Sequence, residues 1–178
     1  CEKGVSFKNI YTTVPRTFPA WVSILTSRYP MYHYVRHMFP SSRARNQNFV
    51  TLATELRDRG YDTVVTGDFA ADIFPRIELG YSRVYAPSFT LDIMIEQLAI
   101  KNNSFIMPFL LNRAGFFFFP GIRECAEFAD PALVTGRIMK EIKRSTSGGR
   151  PFFITAFYSV THFPYSAPWP YYNNYSDR

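Results

Sequence analysis

Two stretches of this chain repeat one order of signals, and that order narrows the fold more than any other feature. In the first, Asn48 to Arg59 places apolar residues at Phe49, Leu52, Ala53 and Leu56, the spacing of one helical face. Gly60 then supplies a C-terminal stop, and the short β-branched run Tyr61 to Thr66 reads as a buried strand. In the second, Asp130-Pro131 is a helix start, with Asp as cap and Pro at the first helical position. Leu133, Ile138 and Ile142 are then expected to face inward up to Arg144, Ser145 to Gly149 to form a loop, and Phe152 to Tyr158 to form a buried strand. Helices alternating with buried strands require a mostly parallel sheet flanked by helices, the α/β class.

The remaining elements fit that plan. Val5 to Tyr11 reads as an opening strand and Phe18 to Thr26 as a helix whose Val22, Ile24 and Leu25 face a core. Tyr29 to Asn46 is an aromatic and basic loop, Tyr81 to Tyr85 a short strand, and Leu91 to Ile100 a helix without a clean apolar face. Neither an internal repeat nor a second domain is visible, and 178 residues suffice for one domain with a sizeable core.

Composition excludes several classes. With 47% apolar and 18% aromatic residues, the chain is not a disordered segment. Its net charge of +6 suits an anionic substrate or an anionic membrane surface, but the basic residues are spread from Arg16 to Arg150. Neither a basic-aromatic RNA motif nor zinc-finger spacing is present, so nucleic acid is not an expected partner. Cys1 and Cys125 show no metal-ligand spacing; they pair only if the fold brings them together, and otherwise a free, buried Cys125 is expected. The chain opens on Cys-Glu-Lys-Gly without a signal-peptide pattern. The apolar run Phe105 to Phe119 is too short to span a bilayer and is interrupted by Pro108, Asn112 and Arg113.

The chemistry-bearing segment runs from Val14 to Pro30. Thr17, two residues before Pro19, stands where a helix begins, and a hydroxyl there either caps the helix or meets an anion. Thr17-x-Pro19 followed by Leu25-Thr26-Ser27-Arg28-Tyr29-Pro30 resembles the nucleophile segment of the alkaline phosphatase superfamily, in particular its sulfatase-like branch. Gly4-Val5-Ser6-Phe7-Lys8-Asn9-Ile10-Tyr11, then Leu52 to Thr66, then Thr161-His162-Phe163-Pro164 resemble further segments of that family in the same order.

The resemblance implies an alkaline-phosphatase-like α/β fold and a metal-dependent hydrolase or transferase acting on anionic esters, with residues 1–178 forming one partial catalytic domain. It implies Thr17 as nucleophile and metal contact and His162 as a group that assists the leaving oxygen; of Arg16 and Arg28, either of which can neutralise a phosphate, Arg16 beside Thr17 is the better candidate for substrate binding. The divalent metal (Mn, Zn, Ca or Mg) would take most of its ligands from outside the chain, and a secreted, periplasmic or membrane-attached location is expected. The read of His162 as a loop residue stacked on Phe163 or Tyr165 stays open.

The departures from the family pattern are equally specific. Thr17 stands where sulfatases carry the Cys or Ser that becomes formylglycine, which favours phosphate over sulfate esters. Ala20 and Trp21 occupy positions where relatives carry a polar or cationic group, and Gly67-Asp68-Phe69-Ala70 lacks the Lys and His of typical sulfatases. Sulfate-ester hydrolysis and a non-catalytic module that keeps the fold are the alternatives. His33 and His37 are spaced for metal on a helix but are expected in surface or packing roles, and Asp68 and Asp72 as solvated or capping charges.

Overall fold

The computed structural model describes residues 4–88, 95, 98–99, 102–103, 105–110, 112–124, 130–160 and 162. Its centre is a three-stranded, fully parallel sheet in the order β2-β1-β3, with β1 at Asp62–Gly67, β2 at Arg83–Tyr85 and β3 at Phe152–Phe157. Val64 pairs with Arg83 on one side of β1, and Asp62 to Gly67 pair in step with Phe152 to Phe157 on the other. All six residues of β1 are buried, as expected of a parallel strand covered on both faces.

Alternation along β1 separates two faces. Val65 lies in the main core with Phe18, Val22 and Leu25 of helix α1 (Thr17–Thr26) and Ala53 of helix α4 (Leu52–Asp58). Phe74, from the 3₁₀ helix Phe69–Arg76, and Tyr81 complete that layer. On the opposite face, Asp62 reaches Ser145 of the long helix α7 (Pro131–Ser147), whose hydroxyl donates to Asp62 Oδ2 at 3.0 Å. Among the described residues, four short α-helices lie between these elements: α2 at Pro30–His33, α3 at Ser42–Arg45, α5 at Met107–Leu110 and α6 at Arg113–Phe118.

Local signals fix most of these elements. In α1, Phe18, Val22 and Leu25 recur at helical spacing, and Pro19 sits in the first turn, where its missing N–H costs little. In α4, Thr51 accepts the Thr54 N–H while the Thr54 hydroxyl accepts the Thr51 N–H, a reciprocal capping box. Gly60 follows with φ +86, the left-handed stop that its sequence position promised. Asp130 caps α7 by accepting the Ala132 N–H at 2.9 Å.

Several expectations are corrected. Val5 to Tyr11 is exposed, irregular chain rather than a strand, because it has no ladder partner among the described residues. Ile24 is 65% exposed, on the outer side of α1. The stretch from Tyr29 to Asn46 contains α2 and α3, and α4 begins at Leu52. Helix α7 extends through Ser147 and so absorbs much of the expected loop. Its buried residues are Val134, Glu141 and Ser145, whereas Leu133, Ile138 and Ile142 are half-buried. The polar stripe turns inward because Glu141 and Ser145 have partners on the sheet. The Leu91 to Ile100 helix falls mostly on residues outside the described ones, as do Cys1 and Cys125.

Candidate active site

The carboxyl ends of β1 and β3 lie side by side because Gly67 pairs with Phe157. Glycine suits this close approach: a Cβ at Gly67 would stand 3.0 Å from the Phe157 carbonyl and closer still to Ala71. Directly beyond the strands, Asp68 and Ser159 join. The Ser159 N–H donates to Asp68 Oδ2 at 3.0 Å and its hydroxyl donates to Oδ1. Both residues are buried, Asp68 at 0% exposure and Ser159 at 3%. Asp68 is therefore neither a solvated nor a capping charge; it is an internal clasp between two strand ends.

His162 hangs from this clasp. Its N–H donates to the Ser159 carbonyl at 2.7 Å, and its exposed ring stands edge-on to Phe69 at 5.9 Å between centroids. The stacking partner among described residues is thus Phe69, whereas Phe163 and Tyr165 lie outside them.

Thr17 is placed by helix α1. The residue in the cap position is Arg16, in extended geometry and without a side-chain cap, and Thr17 is the first helical residue. The reading of Thr17 as the cap is corrected accordingly. Arg16 is exposed and its carbonyl accepts the Ala20 N–H at 3.1 Å, while the Phe18 N–H meets only the soft Met38 Sδ at 3.4 Å. Trp21, one turn after Thr17 on the same helical stripe, packs 5.4 Å from the Phe74 ring and 5.5 Å from Phe157. That contact docks α1 on the strand end that leads to Ser159 and His162. It also means that the position expected to carry a cation holds an indole wedged among aromatics.

His33 and His37 do not form a pair. Helix α2 ends at His33, Tyr34 turns left-handed, and His37 is exposed. His33 is buried, accepts the Val35 N–H at Nδ1 (3.2 Å) and therefore donates from Nε2 to the Ser23 hydroxyl (2.9 Å). Burial holds its pKa below the usual imidazole value, partly offset by a backbone hydrogen bond. With Nε2 protonated, His33 cannot take a proton from Ser23; the pair is a tether between α1 and α2.

Asp72 likewise is an ion-pair partner, bound to Arg76 one turn on, although burial outweighs that pairing and raises its carboxyl above the ordinary range.

A second ionic group lies on the α7 face. Arg83 Nε donates to Glu141 Oε2 at 2.8 Å, the Tyr85 hydroxyl donates to Glu141 Oε1 at 3.0 Å, and Arg150 approaches Asp62 at 3.2 Å. Burial opposes the Asp62 charge, but Ser145, Arg150 and Arg83 together hold its carboxyl below the usual carboxylate range. This group sits at the amino end of β1, opposite the strand ends that carry Asp68, and it stitches the sheet to α7.

The described residues do not by themselves make a metal site. Among them, no three His, Cys, Asp or Glu converge, and the buried carboxylate at the strand ends, Asp68, is engaged by Ser159. No helix among them is long and apolar enough to cross a membrane. Sequence reasoning missed the Asp68–Ser159 clasp. Its signal was a polar residue within two positions of the end of each of two strand runs, which parallel register brings together.

Among protein families, the one described as Sulfatase matches the chain over residues 1–178. No curated protein and no solved structure matches it.

Proposed function

The chain belongs to the sulfatase family, and we propose that within this family of hydrolases it acts on phosphate esters through Thr17. The observation that carries the reading is the position of Thr17 at the first residue of a ten-residue helix, its hydroxyl unused as a cap, with the exposed Arg16 beside it. The helix dipole favours an anion at that end, and Arg16 adds a cation. In the proposed reaction the Thr17 oxygen forms a bond to phosphorus and the bond to the ester oxygen breaks. The departing oxygen takes a proton from His162, and the Thr17 hydroxyl proton is given up to the medium. Water or another alcohol then attacks phosphorus and gives its proton to His162, the bond from phosphorus to the Thr17 oxygen breaks, and that oxygen takes a proton from the medium to restore the hydroxyl.

Thr17 argues against sulfate esters for a chemical reason. Formylglycine is an aldehyde and arises from Cys or Ser, whereas oxidation at the methyl-bearing Cβ of threonine gives a ketone. Sulfatase-family enzymes generally use a divalent metal. We propose that any such ion takes its principal ligands from outside the described residues, with Thr17 as a contact. A secreted, periplasmic or membrane-attached location belongs to the same proposal.

The test compares aryl phosphodiesters, phosphomonoesters and sulfate esters as substrates of the intact protein with added Mn²⁺, Zn²⁺ or Ca²⁺. Phosphoester turnover that falls at least about a thousandfold in Thr17→Ala supports the assignment. Unchanged turnover in that variant removes Thr17 as nucleophile, and sulfate-ester turnover above phosphoester turnover reverses the substrate class.

One observation favours a second reading, a non-catalytic module. At two positions where relatives carry cations, Trp21 is half-buried against Phe74 and Phe157 and Asp68 is fully buried. Absence of turnover on all three ester classes, together with normal folding, supports that reading.

A further inference from the structure

We propose that the arginine- and aromatic-rich face formed by residues 28–45 docks on an anionic lipid surface. Charge is the first observation. Residues 1–54 carry seven Lys and Arg against the lone Glu2, while residues 55–178 hold thirteen basic and thirteen acidic residues. The whole net charge of +6 therefore arises in the first 54 residues. Arg28, Arg36, Arg43 and Arg45 all stand exposed.

Exposed apolar rings and a thioether are the second. Tyr29, Met31, Tyr32 and Tyr34 are 60% to 63% exposed, and Phe39 is 70% exposed. The fold causes this. Helix α2 buries Pro30 and His33, so Met31 and Tyr32 between them face outward, and the left-handed Tyr34 turns its ring out as well. The His33 tether to Ser23, with Gln47 donating to the His33 and Ala44 carbonyls, anchors the scaffold beneath them.

Around Tyr34 and Gln47 the face is continuous, whereas Arg28 and Tyr29 border a separate cavity beside Ile10 and Tyr11. Tyr34 and Arg43 line a surface cavity of about 490 Å³, and Gln47 lines both it and a neighbouring cavity of about 420 Å³ that Arg45 and Arg76 also line. The Arg36 guanidinium lies 5.9 Å from the Tyr34 ring and that of Arg76 5.3 Å from Phe39. The acidic groups at its border are Asp72, engaged by Arg76, and Glu78.

A hydrated polyanion would satisfy the arginines but offer little to Met31 and Phe39. A lipid interface satisfies both: arginines meet anionic headgroups, tyrosines sit at the boundary, and the thioether and phenyl leave water.

The experiment is co-sedimentation with vesicles of phosphatidylcholine alone and of phosphatidylcholine mixed with phosphatidylserine. Binding is expected only to the anionic vesicles and falls as salt rises. Each arginine near such a surface is worth about fivefold in partitioning, so the triple change R36Q/R43Q/R45Q lowers binding about a hundredfold. The pair M31S/F39S lowers binding while leaving its salt dependence intact. The control K140Q/K143Q/R144Q, on exposed positions of α7, leaves binding unchanged.

Equal binding to neutral vesicles, or an unaltered triple variant, overturns the proposal. So does saturation of the face by a soluble sulfated polysaccharide when anionic vesicles fail to sediment the protein. Thermal melts confirm that each variant is folded, and the salt dependence of the unmodified protein reads the electrostatic term without any substitution.

Discussion

At the scale of single residues, the clearest assignments come from buried polar groups whose partners fix their roles. His33 is a buried neutral imidazole: its Nδ1 is occupied by the Val35 N–H and its pKa is lowered by burial. A group whose folded pKa is depressed binds a proton more readily in the unfolded chain. Its contribution to stability is therefore fully present above about pH 6.5 and is lost as pH falls through the lower, folded value. Thermal melts from about pH 7.5 down to about pH 5 are expected to show this decline. His33→Gln, which keeps a side-chain acceptor but cannot titrate, flattens that part of the profile; a profile identical to the unmodified protein would assign the decline to another group. Asp68→Ala leaves the Ser159 N–H and hydroxyl buried without their acceptor and is expected to cost roughly 3 kcal/mol in denaturant unfolding. A loss below about 1 kcal/mol would mean that water replaces the carboxylate there.

At the scale of elements, helix ends and close contacts govern how α4 and α7 are set. Thr51 closes the α4 capping box and also donates its hydroxyl to the Leu79 carbonyl at 2.7 Å. Thr51→Ala thus removes a cap and a buried long-range hydrogen bond, and a loss of about 2 kcal/mol is expected by chemical denaturation. Asp130→Ala, which removes a cap on an exposed helix end, is expected to cost about 1 kcal/mol. Equal losses for the two would show that the Thr51–Leu79 bond adds nothing. Gly80 combines φ +85 with a close approach to α4, where an added Cβ would lie 2.6 Å from the Thr54 nitrogen. Gly80→Ala should therefore displace α4 and lower stability by more than the left-handed conformation alone, about 1 to 2 kcal/mol.

At the scale of the whole molecule, the ionic group of Asp62, Arg83, Glu141 and Arg150 joins two strands to α7, as the aromatic contacts of Trp21 join α1 to β3 on the other face. Glu141→Ala removes the closer carboxylate of the half-buried Arg83, which keeps Asp62 at 3.6 Å, and the acceptor of the Tyr85 hydroxyl, and is expected to cost roughly 2 to 3 kcal/mol, seen as an early thermal transition. Adding Arg83→Met to that variant is expected to restore part of the loss, because the guanidinium that lost its closer partner goes with it while Asp62 keeps Ser145 and Arg150. A double variant no more stable than Glu141→Ala alone would place the cost in packing instead.

The same scales mark how far the amino-acid order reaches. It determined what depends on near neighbours: the α/β alternation, the cap and proline that start α7, the glycine that ends α4, the buried strand β1, and the position of β3, which as an edge strand of the described sheet is buried only at Thr155 rather than throughout as expected. It also determined the family, through Thr17-x-Pro19 and its ordered companions. Tertiary structure decided what depends on partners far along the chain. Residues 5–11 have strand-like composition but no ladder partner among the described residues, so composition does not make them a strand. Helix α7 turns Glu141 and Ser145 inward rather than Leu133 and Ile138, because Arg83, Tyr85 and Asp62 wait on the sheet. Asp68 looked like a surface charge until parallel register brought it to Ser159, 91 residues away. Local preference is encoded in a few adjacent side chains, whereas burial of a polar group is favourable only when its distant partner arrives.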